Sequence, residues 1–355
     1  DDPLATAAVE ALLARIDAMP PVALDADRVD LGPAFVRILR TAVQRVVAID
    51  VREVPKAERF VDLIKPVAIV MTQEHHRTPW LLAGARAAVP TFALQHGILY
   101  RTHPGYPPIR AATVVLPSCT FVHGEFARRA LLAGAYEPGE VVVSGSPRLD
   151  DHAARDAGRV ADAAQAAGRQ AIRDRLGVRP TDRLLVVSTV NLPYVRRTHV
   201  LHMIVRLLGG PLPGIHVVFK QHPGERDEWP YRELVVGLAR AGGYEPPSTT
   251  VVREIDLYEL LRAADAHLGL HSTVLTDAVA AGTPNLIAIV EGRADMLGYV
   301  DAGVAVPVRE VSDVRAAMSN LPVPDPGARR AFLDDHFRPG DASARIVEVI
   351  RAMAG

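Results

Sequence analysis

The alternation of short apolar runs with helix-length segments constrains this fold more than any other feature of the sequence. Five runs rich in β-branched residues occupy the first part of the chain, at residues 67–71, 91–94, 113–116, 120–122 and 141–143. Such runs predict buried strands, and most are separated by segments long enough for a helix that returns the chain to a parallel neighbour. The sequence therefore predicts an α/β protein with parallel sheets flanked by helices.

A second series of strands indicates a second domain. Its predicted strands are residues 184–187, 215–219, 250–253, 266–269, 285–290 and 304–306. An alanine- and arginine-rich helical stretch precedes them and ends at Gly177. A chain of 355 residues is long enough to form two cores. We predict an N-terminal Rossmann-like domain over residues 1–165, a C-terminal one over 166–330, and a closing amphipathic helix within 331–355.

The start of the chain has a helical pattern. Apolar residues recur at helical spacing over residues 4–16 and 35–47, and no clear strand precedes residue 65. The first domain is therefore expected either to be compact or to lack strands upstream of Asp1. The helix over 35–47 also carries three arginines, which leaves peripheral membrane contact open, although a solvated helix face is the favoured interpretation.

Composition excludes several classes of protein. Charged residues make up 23% of the chain and the formal net charge is −1, which is typical of a soluble globular protein and does not indicate a nucleic-acid partner. The single cysteine, Cys119, excludes an intrachain disulfide and a multi-cysteine zinc site, and it fits a reducing compartment. No apolar run reaches the ~18 residues that span a bilayer, and the acidic start differs from a signal peptide, so a cytoplasmic location is expected.

Ligands of open parallel sheets bind beyond the carboxyl ends of the strands, so residues that follow strands are candidates for the site. His222-Pro223 follows the strand that ends at Phe219. Proline restricts the local backbone, and His222 can donate to a phosphate oxygen; the alternative is a histidine that satisfies a loop carbonyl. Ser188 is a weaker candidate for the same ligand, because it can equally be an ordinary turn serine.

His271-Ser272-Thr273 gives the stronger signal. It lies between a predicted strand and a helix that reaches Ala281. Ser272 or Thr273 is expected to cap this helix, whose free amides and dipole favour a phosphate. An ordinary cap with no ligand is the alternative. Asp277, one turn into the helix, can accept hydrogen bonds from ribose hydroxyls.

Because of these motifs and others along the chain, the sequence resembles nucleotide-sugar glycosyltransferases of the GT-B architecture, especially bacterial surface-polysaccharide enzymes and CDP-glycerol glycerophosphotransferases. The resemblance spans roughly residues 92 to 290. It rests on the order and spacing of Gln95-His96-Gly97, Gly145-Ser146-Pro147-Arg148-Leu149-Asp150, Arg173-Asp174-Arg175-Leu176-Gly177, His222-Pro223 and the block from Asp256 to Pro284.

The resemblance implies two Rossmann-like domains facing across a cleft, with the nucleotide phosphates held by His222, Ser272 and Thr273. The family has a second serine where this chain has Thr273, which keeps the hydroxyl. An aromatic residue is often found where this chain has His271, so the nucleotide is left open among UDP, CMP, CDP and GDP. No cofactor is expected besides the nucleotide-sugar donor.

The resemblance also places the acceptor and the catalytic base in the N-terminal domain. Glu74, after the strand that ends near Met71, and His96, after the next strand, are the candidate bases. Glu74 is narrowly favoured, although it can instead pair with Arg77 on the surface. His75 and His123 are candidates for contacts with the sugar or the acceptor.

A metal site is the less favoured interpretation of the histidines in the first domain. His75, His76, His96 and His123 can converge at neighbouring strand ends, but their spacing is unlike a compact ligand motif. Asp25-Ala26-Asp27 follows two prolines and no strong strand, and is expected to be a solvated loop. The sequence also lacks a glycine-rich dinucleotide fingerprint, a P-loop and a nucleophile elbow.

The sequence thus predicts an inverting, metal-independent glycosyltransferase that moves a sugar from a nucleotide sugar to an acceptor hydroxyl of a sugar-containing or small molecule. Three alternatives are a CDP-glycerol-type polyol-phosphate transferase, a nucleotide-sugar 2-epimerase or hydrolase, and a catalytically silent nucleotide-binding scaffold. The 2-epimerases normally carry further carboxylates around the sugar, which the sequence does not locate. It also leaves the oligomeric state open.

Overall fold

The structure is a computed structural model that divides into two compact units. The described residues are 3–20, 25–26, 29–72, 77–101, 103, 105–112, 114–150, 162–190, 194–225, 230–270, 272–289, 295, 297–323 and 325–355. The first unit comprises residues 1–123, 127–144 and 343–355, and the second comprises residues 124–126 and 145–342. The second unit thus takes up the chain at residue 145, upstream of the expected boundary at 165.

The first unit contains a four-stranded sheet and several helices. Its elements are α1 (Pro3–Asp17), β1 (Asp25–Ala26), β2 (Val29–Asp30), α2 (Gly32–Ala42), a π-helical turn (Val43–Val47), α3 (Ala48–Ile64), β3 (Ile69–Met71), α4 (Thr78–Arg86), β4 (Thr91–Leu94), β5 (Cys119–Val122), α5 (Glu125–Leu132) and β6 (Val141–Val143). The sheet order is β3-β4-β5-β6, all parallel, while β1 and β2 form an antiparallel pair. Asp25-Ala26, expected in a loop, therefore lies in a short strand.

One predicted strand of this unit is wrong. Residues 114–117 are not in a strand, although the run from 113 to 116 is rich in β-branched residues. The reason is that β4 pairs directly with β5, with Phe92 opposite Cys119, so the sheet has no place for another strand between them. Val115 and Leu116 instead pack as partly buried side chains against two small cores.

The last helix of the chain completes the core of the first unit. This helix, Ala342–Ala354, carries the predicted apolar face. Ile346 is buried with Phe92, Cys119 and Phe121, and Val349 and Ile350 pack against the same cluster. The closing helix therefore belongs with β4 and β5, which lie more than 200 residues earlier in the sequence.

The second unit contains a six-stranded sheet with helices on both faces. Its elements are α6 (Asp162–Arg175), β7 (Arg183–Ser188), α7 (Tyr194–Leu208), β8 (Ile215–Lys220), α8 (Tyr231–Gly242), β9 (Ser248–Val252), α9 (Leu257–Ala263), β10 (Ala266–Gly269), α10 (Thr273–Ala281), β11 (Asn285–Ala288), β12 (Val306–Val308), α11 (Val311–Ser319) and α12 (Pro326–His336); the last helix, described above, is α13.

The strand order of this sheet is β12-β11-β10-β7-β8-β9, and every pair is parallel. Numbered along the unit, this order is 6-5-4-1-2-3, the arrangement of a Rossmann fold. After β7 the chain adds β8 and β9 on one side of that strand, and it then crosses to the other side to form β10. The sheet therefore has its topological switch point between β7 and β10, where such folds bind ligands.

Alternate side chains of β7 build two cores, one on each face. Leu185 and Val187 lie in the larger core with α7, α8 and α11, whereas Leu184 and Val186 lie in the smaller one with α6 and α9. All four are fully buried, and burial of each such side chain contributes about 1.5–3 kcal/mol. The rigid sheet fixes where each strand ends, and hence where the loops of the site begin.

The α/β class with two parallel sheets is thus confirmed. Strand boundaries of the second unit differ from prediction by at most about two residues, as expected for pattern-based assignment. No helix in the described part of the chain is long and apolar enough to cross a membrane.

Candidate functional site

The His222-Pro223 pair forms a tight turn directly after β8. The Glu225 amide donates to the His222 carbonyl at 3.0 Å, with Pro223 in the second position of the turn. The Gly224 amide donates to His222 Nδ1 at 3.0 Å. Because Nδ1 accepts this bond, the neutral imidazole carries its proton on Nε2. The exposed His222 is therefore oriented by its own turn as a hydrogen-bond donor.

A buried carboxylate lies beneath this turn. Glu225 is 1% exposed. Its Oε1 accepts from the His222 amide at 3.0 Å and from the Thr189 hydroxyl, and its Oε2 accepts from the Tyr231 hydroxyl at 2.8 Å. The turn is thereby tied to the residue after β7 and to the start of α8.

Lys220, the last residue of β8, is a buried cation beside the same turn. It is 8% exposed, and its ammonium donates to the Gln221 carbonyl at 2.9 Å. Burial lowers the pKa of Lys220, while the negative charges of Glu254 and Glu225 act against this shift. Sequence reasoning missed Lys220 and Glu225, because lysine and glutamate after a strand usually indicate solvent-exposed positions.

The second loop of the site starts α10. Ser272 is the N-cap, and its hydroxyl oxygen accepts from the Val274 amide at 3.2 Å. Thr273 is the first helical residue, and Gly282 ends the helix in the left-handed conformation with φ of 72°. His271 lies outside the described residues. The predicted capped helix is therefore present, and its amides and dipole form a site that favours an anion.

Ser188, at the end of β7, is part of a buried polar chain. Its Oγ lies 2.9 Å from His267 Nε2, and His267 Nδ1 lies 2.8 Å from Asn285 Oδ1. The Asn285 amide donates to the Leu275 carbonyl, so Asn285 Oδ1 faces His267 as an acceptor. His267 therefore donates from Nδ1 and accepts the Ser188 proton at Nε2. This bond uses the proton that Ser188 would need to bind a phosphate oxygen.

Asp277 lies one turn into α10 and is 2% exposed. Its Oδ1 accepts from Tyr258 at 2.7 Å and from Arg148 at 2.8 Å, and its Oδ2 has no hydrogen-bond partner among the described residues. Burial raises the pKa of Asp277, and Arg148 and Tyr258 oppose this shift. Contact with ribose hydroxyls stays a prediction.

The two loops that carry the predicted phosphate contacts lie at the same edge of the sheet. β8 and β10 are the two neighbours of β7. Adjacent strands lie about 4.8 Å apart, so the loops after β8 and β10 start about 10 Å apart. The His222 turn and the start of α10 therefore lie on either side of the end of β7, next to the topological switch point.

The first unit has histidines at its own strand ends. Glu74 and His75, predicted as base and sugar contact, lie outside the described residues, as does His76. His96 follows β4 and is exposed. Gln95 joins two strand ends, because its Oε1 accepts from the His123 amide at 2.8 Å and its Nε2 donates to the Gly97 carbonyl at 2.9 Å. His96 and His123 are thus held on connected loops.

A second histidine turn lies in the loop that follows β4. The Gly105 amide donates to His103 Nδ1 at 3.0 Å, and the Tyr106 amide donates to the His103 carbonyl at 3.1 Å. This repeats the bonding of the His222 turn, and both sequences read His-Pro-Gly. His103, however, lies edge-on between Tyr100 and Tyr106, with ring centroids about 5 Å away, and burial lowers its pKa. It is therefore held neutral in an aromatic setting.

Among the residues that the structure describes, no group of three or more histidine, cysteine, aspartate or glutamate side chains is arranged to hold a metal ion. Cys119 is buried in the first unit, where burial raises its thiol pKa to about 11. At that pKa the thiol stays protonated and unreactive.

No protein-family model and no protein of curated function matches the sequence. Solved structures do match. UDP-GlcNAc 2-epimerase from Neisseria meningitidis bound to UDP-GlcNAc is 14% identical, with a TM-score of 0.56 over 86% of this chain and 81% of that chain. The S. aureus MnaA–UDP co-structure is 16% identical, with a TM-score of 0.54 over 85% and 78% of the two chains.

Another match is Anabaena Alr3699/HepE in complex with UDP and glucose, which is 14% identical with a TM-score of 0.53 over 84% of this chain and 81% of that chain. At these identities the likeness establishes the fold alone. The chain therefore shares the two-sheet α/β fold of nucleotide-sugar 2-epimerases and related proteins.

Proposed function

We propose that the chain is an enzyme that acts on a nucleotide sugar, whose phosphates are bound by the second unit. One observation carries this proposal: the His222 turn and the Ser272-capped helix lie on either side of the end of β7, next to the switch point of a Rossmann-type sheet. Both loops present hydrogen-bond donors to the same edge. Their separation of about 10 Å suits two linked phosphates with one loop on each side.

Each residue has a distinct role in the proposed grip. His222 donates from Nε2 to one phosphate oxygen. The free amides at the start of α10, with the hydroxyls of Ser272 and Thr273, bind the other phosphate. These groups stabilise the negative charge that grows on the phosphate as the bond to the sugar breaks.

The reaction that we place first is 2-epimerisation of the sugar. Its support is the shared fold, since several of the matching solved structures are UDP-GlcNAc 2-epimerases and the match extends over more than four-fifths of this chain. Inverting the carbon next to the anomeric centre requires a base that removes the proton of that carbon. Glu74 and His96 are the candidates for this role.

Glycosyl transfer is the second candidate, and the order of Gln95-His96-Gly97, His222-Pro223 and Ser272-Thr273 favours it. In this reaction the acceptor oxygen forms a bond to the anomeric carbon while the bond to the phosphate oxygen breaks. The base takes the acceptor proton, and the nucleotide leaves with the electron pair. The phosphate grip serves either reaction.

Nucleotide binding tests the shared part of the proposal. UDP, CDP, GDP and CMP are titrated calorimetrically into the wild type, His222→Ala and Ser272→Ala. One charge-assisted hydrogen bond contributes about 1.5–3 kcal/mol, so each variant is expected to lose about 10- to 100-fold in affinity. The matched control is Glu233→Gln, on the exposed face of α8, which should bind as the wild type does. Wild-type affinity in both site variants would overturn the grip.

Product analysis separates the two reactions. The wild type is incubated with UDP-GlcNAc in deuterium oxide and the sugar is examined by NMR. Epimerisation gives the C2 epimer and deuterium at C2, whereas transfer needs an added acceptor and leaves C2 unlabelled. Glu74→Gln and His96→Ala then identify the base, since the correct variant should lose about 100-fold or more in turnover.

A further inference from the structure

We infer that Glu225 is a positioning residue, which sets the direction of the His222 imidazole through the turn between them. The inference deepens the proposed function and rests on it, because it assigns the residue that holds one half of the phosphate grip. Glu225 itself is 1% exposed and lies beneath the turn, so it acts through His222.

The Glu225 carboxylate accepts hydrogen bonds from several elements of the second unit. Three groups donate to one carboxylate: the Thr189 hydroxyl, the His222 amide and the Tyr231 hydroxyl. They come from the end of β7, the end of β8 and the start of α8. A neutral side chain cannot replace this arrangement, because glutamine has a single acceptor oxygen and brings two donors of its own.

These bonds hold both the backbone and the ring of His222. The His222 amide is shared between Glu225 Oε1 and Thr189 Oγ1, each at 3.0 Å. The Glu225 amide in turn closes the turn on the His222 carbonyl. Both backbone polar groups of His222 are therefore engaged by this cluster, while its ring is held by the Gly224 amide. The imidazole direction follows from this set of bonds.

A buried cation, Lys220, lies near the Glu225 carboxylate. A buried carboxylate is expensive unless hydrogen bonds and a nearby cation compensate it. The Glu225 charge acts on the buried Lys220, where it opposes the effect of burial on the lysine pKa. Tyr231, whose hydroxyl donates to Glu225 Oε2, is itself held by stacking on Phe219 with ring centroids 5.0 Å apart. Both carboxylate oxygens of Glu225 thus have hydrogen-bond donors, and a buried cation is near enough to interact with its charge.

A double-mutant cycle tests the inference. The probe is whichever of UDP, CDP and GDP binds the wild type most tightly, and the proteins are the full chain, His222→Ala, Glu225→Gln and the double variant. Glu225→Gln is expected to weaken binding about 5- to 20-fold on its own, and less than about twofold when His222 is already alanine. Glu233→Gln serves as the matched carboxylate control. Equal losses in both backgrounds would overturn the inference.

A second readout separates positioning from a general loss of structure. The matching nucleoside, which lacks phosphate, should bind wild type and Glu225→Gln with the same affinity. A parallel loss of nucleoside affinity would mean that Glu225 supports the whole unit, and would also overturn the inference. If Glu225→Gln does not fold, Tyr231→Phe takes its place in the cycle, with an expected loss of about threefold under the same criteria.

Failure of the proposed function gives a different result. If none of the three diphosphates binds the wild type, the phosphate grip is absent and the role of Glu225 within it falls as well. If the wild type binds a diphosphate and the cycle is additive, the grip stands and only the role of Glu225 is wrong.

Discussion

His267 Nε2 lies 2.9 Å from the Ser188 hydroxyl, at the point where β7 and β10 run side by side. His267 is fully buried, and burial lowers its pKa to about 4 despite the bond to Asn285. The imidazole thus stays neutral at physiological pH and works as a structural link across the switch point.

This burial predicts acid sensitivity. Between pH ~6.5 and ~4 the unfolded state binds a proton at His267 that the folded state does not, so the free energy of unfolding falls as pH falls. We expect a loss of about 2–3 kcal/mol from this residue between pH ~7.5 and ~4.5. Denaturant titrations of the wild type and His267→Gln over this range measure it.

The comparison of the wild type with His267→Gln isolates the contribution of His267 to the pH dependence of the unfolding free energy. Burial also lowers the pKa values of His103 and His216, but both residues are present in either protein and their contributions cancel. The stability difference between wild type and variant should shrink on acidification. A difference that is constant with pH would contradict the assignment.

Ser272 has two roles that substitution can separate. Aspartate is as good an N-cap as serine, whereas alanine removes the cap and costs about 1 kcal/mol. A carboxylate at this position repels a bound phosphate. We therefore expect Ser272→Asp to keep the wild-type unfolding free energy and to lose nucleotide affinity, and Ser272→Ala to lose both. Thermal denaturation and calorimetry measure the two effects, and tight nucleotide binding by Ser272→Asp would place the phosphate elsewhere.

Arg148 compensates the buried charge of Asp277. Removing it with Arg148→Met is expected to raise the pKa of Asp277 further and to destabilise the fold near neutral pH, by about 1–2 kcal/mol because the arginine is half exposed. A raised carboxyl pKa contributes stability below the unfolded value, which is lost as pH rises through the folded value. The deficit should therefore grow from pH ~4 to ~7.

Asp277→Asn provides the control for this pair. Asparagine has no charge to compensate, so Arg148→Met should cost much less in that background. Unfolding free energies of the four proteins form the cycle, and equal costs of Arg148→Met in both backgrounds would show that the ion pair is not the cause.

Most strands were predictable because their local and long-range preferences agree. Residues 141–143 are all valine, residues 91–94 begin with the strand-favouring Thr91 and Phe92, and each segment has a neighbouring strand to pair with. Residues 113–116 have the same local preference, but the direct pairing of β4 with β5 leaves them outside the sheet. Sequence patterns show the local preference for a strand, but they do not show whether a neighbouring strand is available for pairing.

The candidate site likewise has local features that the sequence predicts and long-range contacts that it does not. Strand ends and a serine cap are local features, so His222 and Ser272 could be identified from the sequence. The bonds that define their surroundings are not local: Ser188 and His267 are 79 residues apart, and Thr189 and Glu225 are 36 apart. The two His-Pro-Gly segments have the same local sequence but different surroundings, since the histidine is exposed at His222 and lies between tyrosines at His103.

The position of α13 has a consequence for biosynthesis. Ile346 fills the core made by Phe92, Cys119 and Phe121, yet the ribosome reaches it only after all of residues 145–342 have been made. Domains generally fold as units during synthesis, in chain order. The second unit can follow that order, but the first unit must wait for α13 with part of its apolar core uncovered, which exposes it to aggregation while translation continues.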